Sequence, residues 1–207
     1  MEVTPWGFKS PLSQMNKKIA TFFLLLSFPL WALKVDPNCR GFDNQKKTEQ
    51  IDRYDFAGLF PKLEKINIDA HKRKYVELEL TGEYPLLKSI CFDGSFGRFD
   101  GNLTGSFPLL TDIDVKVTSN KVNLDLRGDW TQDCNIIITG TSADITLNLP
   151  KTVGLDIKTK TAPRGKVTSD WLKKKGLLNK KRFVANPDAD VQLTLYVEVT
   201  DGQIKLE

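Results

Sequence analysis

GSFPLLTDIDVKVTSNKVNLDLR (Gly105–Arg127) and GDWTQDCNIIITGTSADITLNLP (Gly128–Pro150) are consecutive 23-residue segments built to one plan. Two earlier segments follow it: GEYPLLKSICFDGSFGRFDGNLT from Gly82, and GLFPKLEKINIDAHKRKYVELELT from Gly58, which carries one extra residue near His71. Each opens on glycine, and an aromatic stands two places on: Phe60, Tyr84, Phe107, Trp130. Apolar pairs then alternate (Ile90 and Phe92, Ile113 and Val115, Ile136 and Ile138), a polar turn intervenes, and a second alternating row closes the unit (Val122, Leu124 and Leu126; Ile145, Leu147 and Leu149). Period-2 alternation sends one set of side chains inward and the other outward, so each unit reads as two short strands. One unit cannot bury its apolar row alone, whereas stacked copies align the rows into one core and pair the strand edges.

The expected fold is therefore all-β: a short β-solenoid-like stack of about five turns with a 23-residue repeat, closed by a C-terminal β-hairpin at Asp201-Gly202. An antiparallel sandwich with hairpins of equal length is the alternative. The column of aromatics reads as a packed corner ladder, or else as a strip on which a ligand stacks. No long 3.6-residue stripe occurs.

The expected organisation is an N-terminal extension and signal peptide over 1–32, a linker over 33–57 and one β-repeat domain over 58–207. MNKKIATFFLLLSFPLWA (Met15–Ala32) has the basic start and short apolar run of a secretory signal. Met15 competes with Met1 as the start, and an uncleaved anchor competes with cleavage after Ala32. Three cysteines, an odd count, leave at least one thiol unpaired within an exported chain. Parity turns Cys134 inward and Cys91 outward, and a bridge from Cys39 stays open.

The formal net charge is +4. It is concentrated at Lys173, Lys174, Lys175, Lys180, Lys181 and Arg182, which form the candidate partner-binding cluster. Summed attraction would draw such a patch to an anionic membrane or cell-wall surface, and export makes nucleic acid an unsuitable partner. A solvated lysine-rich loop is the plain alternative.

No nucleophile motif, metal-ligand spacing or phosphate loop occurs, so no catalytic residue, cofactor or metal is expected. His71 lies in a basic turn and reads as solvated. Asp112 with Asp114, and Asp93 with Asp100, could meet a hard cation but lack the loop spacing that binds one tightly.

ADITLNLPKTVGLDIKTKT, GKVTSDWL and RFVANPDADVQLTLYVEVTDGQIKLE follow in that order. Leu149, Pro150 and Gly154, then Phe183 and Asn186, then Gly202, Ile204 and Leu206 make this stretch resemble the toast-rack domain of bacterial envelope proteins. That domain closes regulators of the cell-wall-antibiotic response and is shared by related putative-adhesin domains. The resemblance covers roughly Gly58 to Glu207 and implies stacked β-strands without catalytic residues. The leader replaces the several membrane helices of those regulators. The implied function is a non-catalytic exported envelope protein that binds a protein, cell-wall or membrane partner in adhesion or stress sensing, periplasmic or secreted. The alternative is an exported carbohydrate-active enzyme on a β-helix.

Overall fold

The computed structural model describes residues 32–34, 40–43, 51–71, 74–163, 165–176 and 180–207, all within the unit Ala32–Glu207. The leader up to Trp31, and Cys39, lie outside the described residues. Fifteen strands and no helix occur among those described. In the N-terminal part they are β1 (Ala32–Lys34), β2 (Gly41–Asp43), β3 (Ile51–Asp55), β4 (Lys65–Asp69) and β5 (Tyr75–Leu80). Next come β6 (Ser89–Leu103), β7 (Ser106–Phe107), β8 (Asp112–Asp125), β9 (Asp129–Trp130) and β10 (Cys134–Asn148). The chain ends with β11 (Gly154–Thr161), β12 (Lys166–Ser169), β13 (Lys174–Lys175), β14 (Lys180–Ala185) and β15 (Gln192–Leu206). Thirteen strands form one mixed sheet, and β7 pairs with β9 apart from it.

The pairing is parallel except where β14 meets β11 and β13. The 14- and 15-residue strands each carry both apolar rows of a unit and bend between them, so two limbs face each other across the core. Along β6, β8 and β10 the register advances one unit at a time: Ile90 opposes Ile113, and Ile113 opposes Ile136. β4 is offset from β6 by one residue more than β5 is (Lys65 to Ser89, Tyr75 to Arg98), which puts the extra residue between Asp69 and Tyr75.

Packing explains the repeated glycine and aromatic. A Cβ on Gly82 would lie 1.8 Å from the carbonyl oxygen of Gly58, and one on Gly105 would lie 2.4 Å from that of Gly82. Successive corners thus stack backbone on backbone, and only glycine fits. Beneath them Phe60, Tyr84, Phe107 and Trp130 are buried, with centroids 5.7, 5.3 and 5.3 Å apart in turn. Burial leaves two polar handles to satisfy: the Tyr84 hydroxyl donates to the Phe56 carbonyl, and Trp130 Nε1 donates to that of Leu126 at 2.7 Å. The aromatic column is a packed ladder.

Two expectations need correction. The stretch 33–57 is not a linker along its described length, because β2 and β3 pair in parallel with β4 and β5 and extend the stack. Its pattern is hidden by Asp52, which stands where Val76 and Phe99 stand in the next two layers. That carboxylate is fully buried and accepts a 2.7 Å hydrogen bond from the Tyr54 hydroxyl.

The closing hairpin is absent as well. Asp201 and Gly202 lie inside the continuous strand β15, which inserts between β10 and β11. Both its limbs pair in parallel with β10, Ile136 opposite Leu195 and Ile145 opposite Ile204. Gly202, at φ +135°, is the corner of that bend, beside Ala143. The glycine turns the chain between limbs, not back on itself. β11 is therefore not the layer after β10. Asn186, at φ +45°, secures the return by donating to the Lys151 and Val153 carbonyls at 2.9 and 3.1 Å.

Candidate functional site

Strand parity decides what the last layers show to solvent. On β11, Leu155 and Ile157 turn inward, so Asp156, Lys158 and Lys160 turn outward. Opposite them in the antiparallel pair stand Val184, Arg182 and Lys180. On the other flank, β15 places Tyr196 beside Lys158 and Glu198 beside Lys160. Lys175 pairs with Arg182 from β13.

Lys158, Lys160, Lys180, Arg182 and Tyr196 surround an open hollow of about 370 Å³, whose lining also includes Thr159, Gly176 and Lys181. Four outward cations, Lys158, Lys160, Lys180 and Arg182, meet two adjacent carboxylates, whereas Lys181 opposes the inward-facing Thr159 and shares the face of buried Phe183. Arg182 grips Asp156 through Nε and Nη2 at 2.8 and 3.0 Å, and Lys158 Nζ stands 3.8 Å from the same group. The Arg182 hydrogen bonds hold the Asp156 carboxyl below the usual range. Lys160 pairs with Glu198, whose pKa it lowers. Glu198 also accepts from the Tyr196 hydroxyl at 2.6 Å, a bond that raises the tyrosine's pKa. Partial burial and then the Lys174 charge lower the pKa of Lys181. The outward cations outnumber the two carboxylates they meet, so the hollow keeps an excess of positive charge for an anion to approach.

Of the six residues singled out in the sequence, Lys180, Lys181 and Arg182 line the hollow. Lys174 and Lys175 form the neighbouring edge strand β13, and Lys173 is the exposed residue before it. Lys158, Lys160 and Tyr196 were missed. Their outward parity was visible beside Leu155, Ile157 and Leu195, but nothing in the spacing placed three distant segments side by side.

The other candidates are placed as follows. His71 is exposed, with Nδ1 2.9 Å from Asp69 and Nε2 3.5 Å from Asp93. Asp114 pairs with Lys116 at 2.9 Å, and Asp100 with Arg98 at 2.7 Å. Among the described residues no group of three or more His, Cys, Asp or Glu side chains is placed to hold a metal ion. Cys134 is buried and Cys91 half-buried, and both are free thiols. Burial pushes the Cys134 thiol up to about 12, which leaves it inert near neutral pH. On the opposite limb, carboxylates alternate with amides across layers. Asn102 donates to Glu79 at 2.8 Å and Asn123 to Asp100 at 2.6 Å.

No family model and no curated protein matches the sequence. Among solved structures, the fold is similar to that of a "putative cell adhesion protein" from Clostridium sporogenes, with TM-score 0.50 and 20% sequence identity. The match covers 57% of this chain and 54% of that one, so this chain spans about half the length of the protein it resembles. At that identity the likeness concerns the fold alone.

Proposed function

We propose that this protein is a non-catalytic, exported component of a cell envelope. Its β-solenoid-like stack is a scaffold that presents a basic outer face to an anionic cell-wall or membrane surface, in an adhesive or stress-sensing role of the toast-rack kind. The observation that carries the reading is the convergence of Lys158, Lys160, Lys180 and Arg182 on one outer face, around a shallow hollow beside Tyr196. A rigid sheet holds these charges on neighbouring strands about 4.8 Å apart, so a polyanion meets them together at little ordering cost. The signal-like run Met15–Ala32 supplies the export half of the proposal. The amide-tied carboxylates of the opposite limb favour a structural role for those acids over an acid–base pair.

Sedimentation of the full chain with anionic vesicles, and separately with purified anionic cell-wall polymer, tests this. Binding at low salt should fall when Lys158, Lys160, Lys180 and Arg182 are all replaced by glutamine. Each exposed lysine near an anionic membrane contributes about 1 kcal/mol. Equal binding by the variant, or none by the wild type, rejects the proposal and returns the lysines to a solvating and edge-guarding role.

A further inference from the structure

The outer face of the β4–β14 limb is polarised along the stack, and its neutral centre is its apolar part. Row by row, Asp114 is followed by Ile137, Tyr196, Lys158 and Arg182 on successive strands. The adjacent row runs Asp93, Lys116, Thr139, Glu198, Lys160, Lys180. On β6 and β8, Asp93, Asp112 and Asp114 stand against Lys116 alone, and on β4 Lys65 balances Asp69. On β11, β14 and β13, Lys158, Lys160, Lys175, Lys180 and Arg182 outnumber Asp156 and the neighbouring Glu198. Between the halves lie Asn135, Thr139 and Thr194 with two exposed apolar side chains, Ile137 at 45% and Tyr196 at 37%. One half is thus acidic, the other basic, and the seam between them is greasy.

We infer that this face docks a second copy of the same chain, forming a two-fold dimer. A face that meets itself must carry its own complement, and a two-fold axis parallel to the strands, lying between β10 and β15, achieves this. It sets Ile137 over the partner subunit's Tyr196, Asp114 over the partner subunit's Lys158, and Asp93 over the partner subunit's Lys180. The same operation opposes Lys116 with Lys160 and Asp112 with Asp156, which limits affinity. Seven strands at about 4.8 Å, each showing five residues at about 3.3 Å, give a face of roughly 550 Å². That is below the standard of about 800 Å² per partner, so the dimer is weak and electrostatically steered. The inference does not rest on the polyanion reading, although an anion in the basic half competes with the partner's acidic half.

Sedimentation equilibrium of the full chain, with no polyanion present, tests it. The wild type should dimerise at about 50 mM salt and dissociate towards monomer at about 500 mM, where the screening length falls to a few ångströms. Asp93→Lys with Asp114→Lys makes both halves basic, and Lys158→Glu with Lys180→Glu makes both halves acidic. Each reversed protein alone should lose at least about tenfold in self-affinity, since like charges now face each other. Mixed in equal amounts, the two should form a heterodimer at least as readily as the wild type pairs with itself. Far-ultraviolet circular dichroism and urea midpoints establish that both variants fold. A wild type that is monomeric at every concentration and salt overturns the inference, and so do reversed proteins that dimerise alone as well as the wild type does. If a reversed protein fails to fold, the salt dependence of the wild type and the single variant Ile137→Lys, which should abolish dimerisation, decide the matter.

Discussion

Between Gly58 and Pro150 strands lie beside those one unit away in sequence; after Val153 the long strand β15 pairs instead with segments 37 to 59 residues away. β10 pairs with β15 by setting Cys134 against Leu193, and β11 meets β15 with Gly154 against Gln192. The first region grows by repetition, with the same side chains stacked in the same columns. The second has one strand doing what a whole unit does elsewhere, while β11, β12 and the β13–β14 hairpin cover the remaining edges. The difference has a functional side: on this limb the repeated strands β6 and β8 show solvent more carboxylates than cations, whereas the closing region gathers the cations. An exposed parallel edge invites further strands, and lysines on an edge strand discourage them. Lys173, Lys174, Lys175 and Lys180 stand at the end where such protection is needed, and the same charges are those proposed to meet an anionic surface.

The two regions should unfold together, and a buried leucine in each tests it. Leu124 is buried in β8 between Gly101 and Leu147, and Leu195 is fully buried in β15 between Ile136 and Ile157. Either leucine cut to alanine should cost about 2–5 kcal/mol. Because β15 pairs along nearly its full length with β10, both losses should lower one shared urea midpoint. Two separate transitions, with Leu195→Ala moving just one, would show that the closing region is a distinct cooperative unit. Thr118→Ala is the control: its side chain is exposed at the bend, and the change should cost less than about 0.5 kcal/mol.

The sequence made the repeated region legible for a physical reason. Burial of one face forces alternation, and stacking forces identical spacing, so both leave marks in the chain. The parity of Cys91 and Cys134 could be read in the same way. Other features leave no such mark. Parity says that Leu193 and Leu195 share one face but not which strand lies alongside, so the insertion of β15 was invisible. Asp201-Gly202 has the chemistry of a tight turn, and the φ > 0 that suits a hairpin also suits a corner between limbs. The layer before Gly58 was concealed by a polar residue, Asp52, at a core position, whose carboxylate accepts from Tyr54 two residues on in the same strand. The hollow needed three strands from distant segments, and its lysines away from the basic run, Lys158 and Lys160, look in sequence like ordinary outward residues of a strand.

A second substitution probes why the repeated region repeats at all. Gly82→Ala puts a methyl group 1.8 Å from the Gly58 oxygen, a backbone atom held by the Glu83 amide at 2.8 Å. The corner must open, at a cost of about 1–3 kcal/mol. Gly41 offers a comparison outside the column, because a Cβ there meets nothing nearer than 3.9 Å. Gly41→Ala should therefore be tolerated, with a urea midpoint close to that of the wild type. Equal losses at both positions would mean that the glycine column is not a close-contact device.

The smallest effect is expected in the closing region, at the pair of Arg182 and Asp156. The Arg182 guanidinium holds the Asp156 carboxyl below its ordinary pKa in the folded chain, whereas the unfolded chain gives it the usual value of about 3.9. A depressed carboxyl pKa favours the folded state above the unfolded value, and the contribution is lost as pH falls through the folded value. Arg182→Gln removes the cause, so its urea midpoint should lie slightly below the wild type's at pH 7. The gap should close on acidification below the carboxylate range, since Asp156 is then neutral in both proteins. The pair is exposed enough that solvent and salt screen most of its energy, so the gap should also narrow in high salt. A gap that persists unchanged at low pH would assign the loss to the packing of the Arg182 side chain across β14. In that case the basic face would be held in place by contact and not by charge.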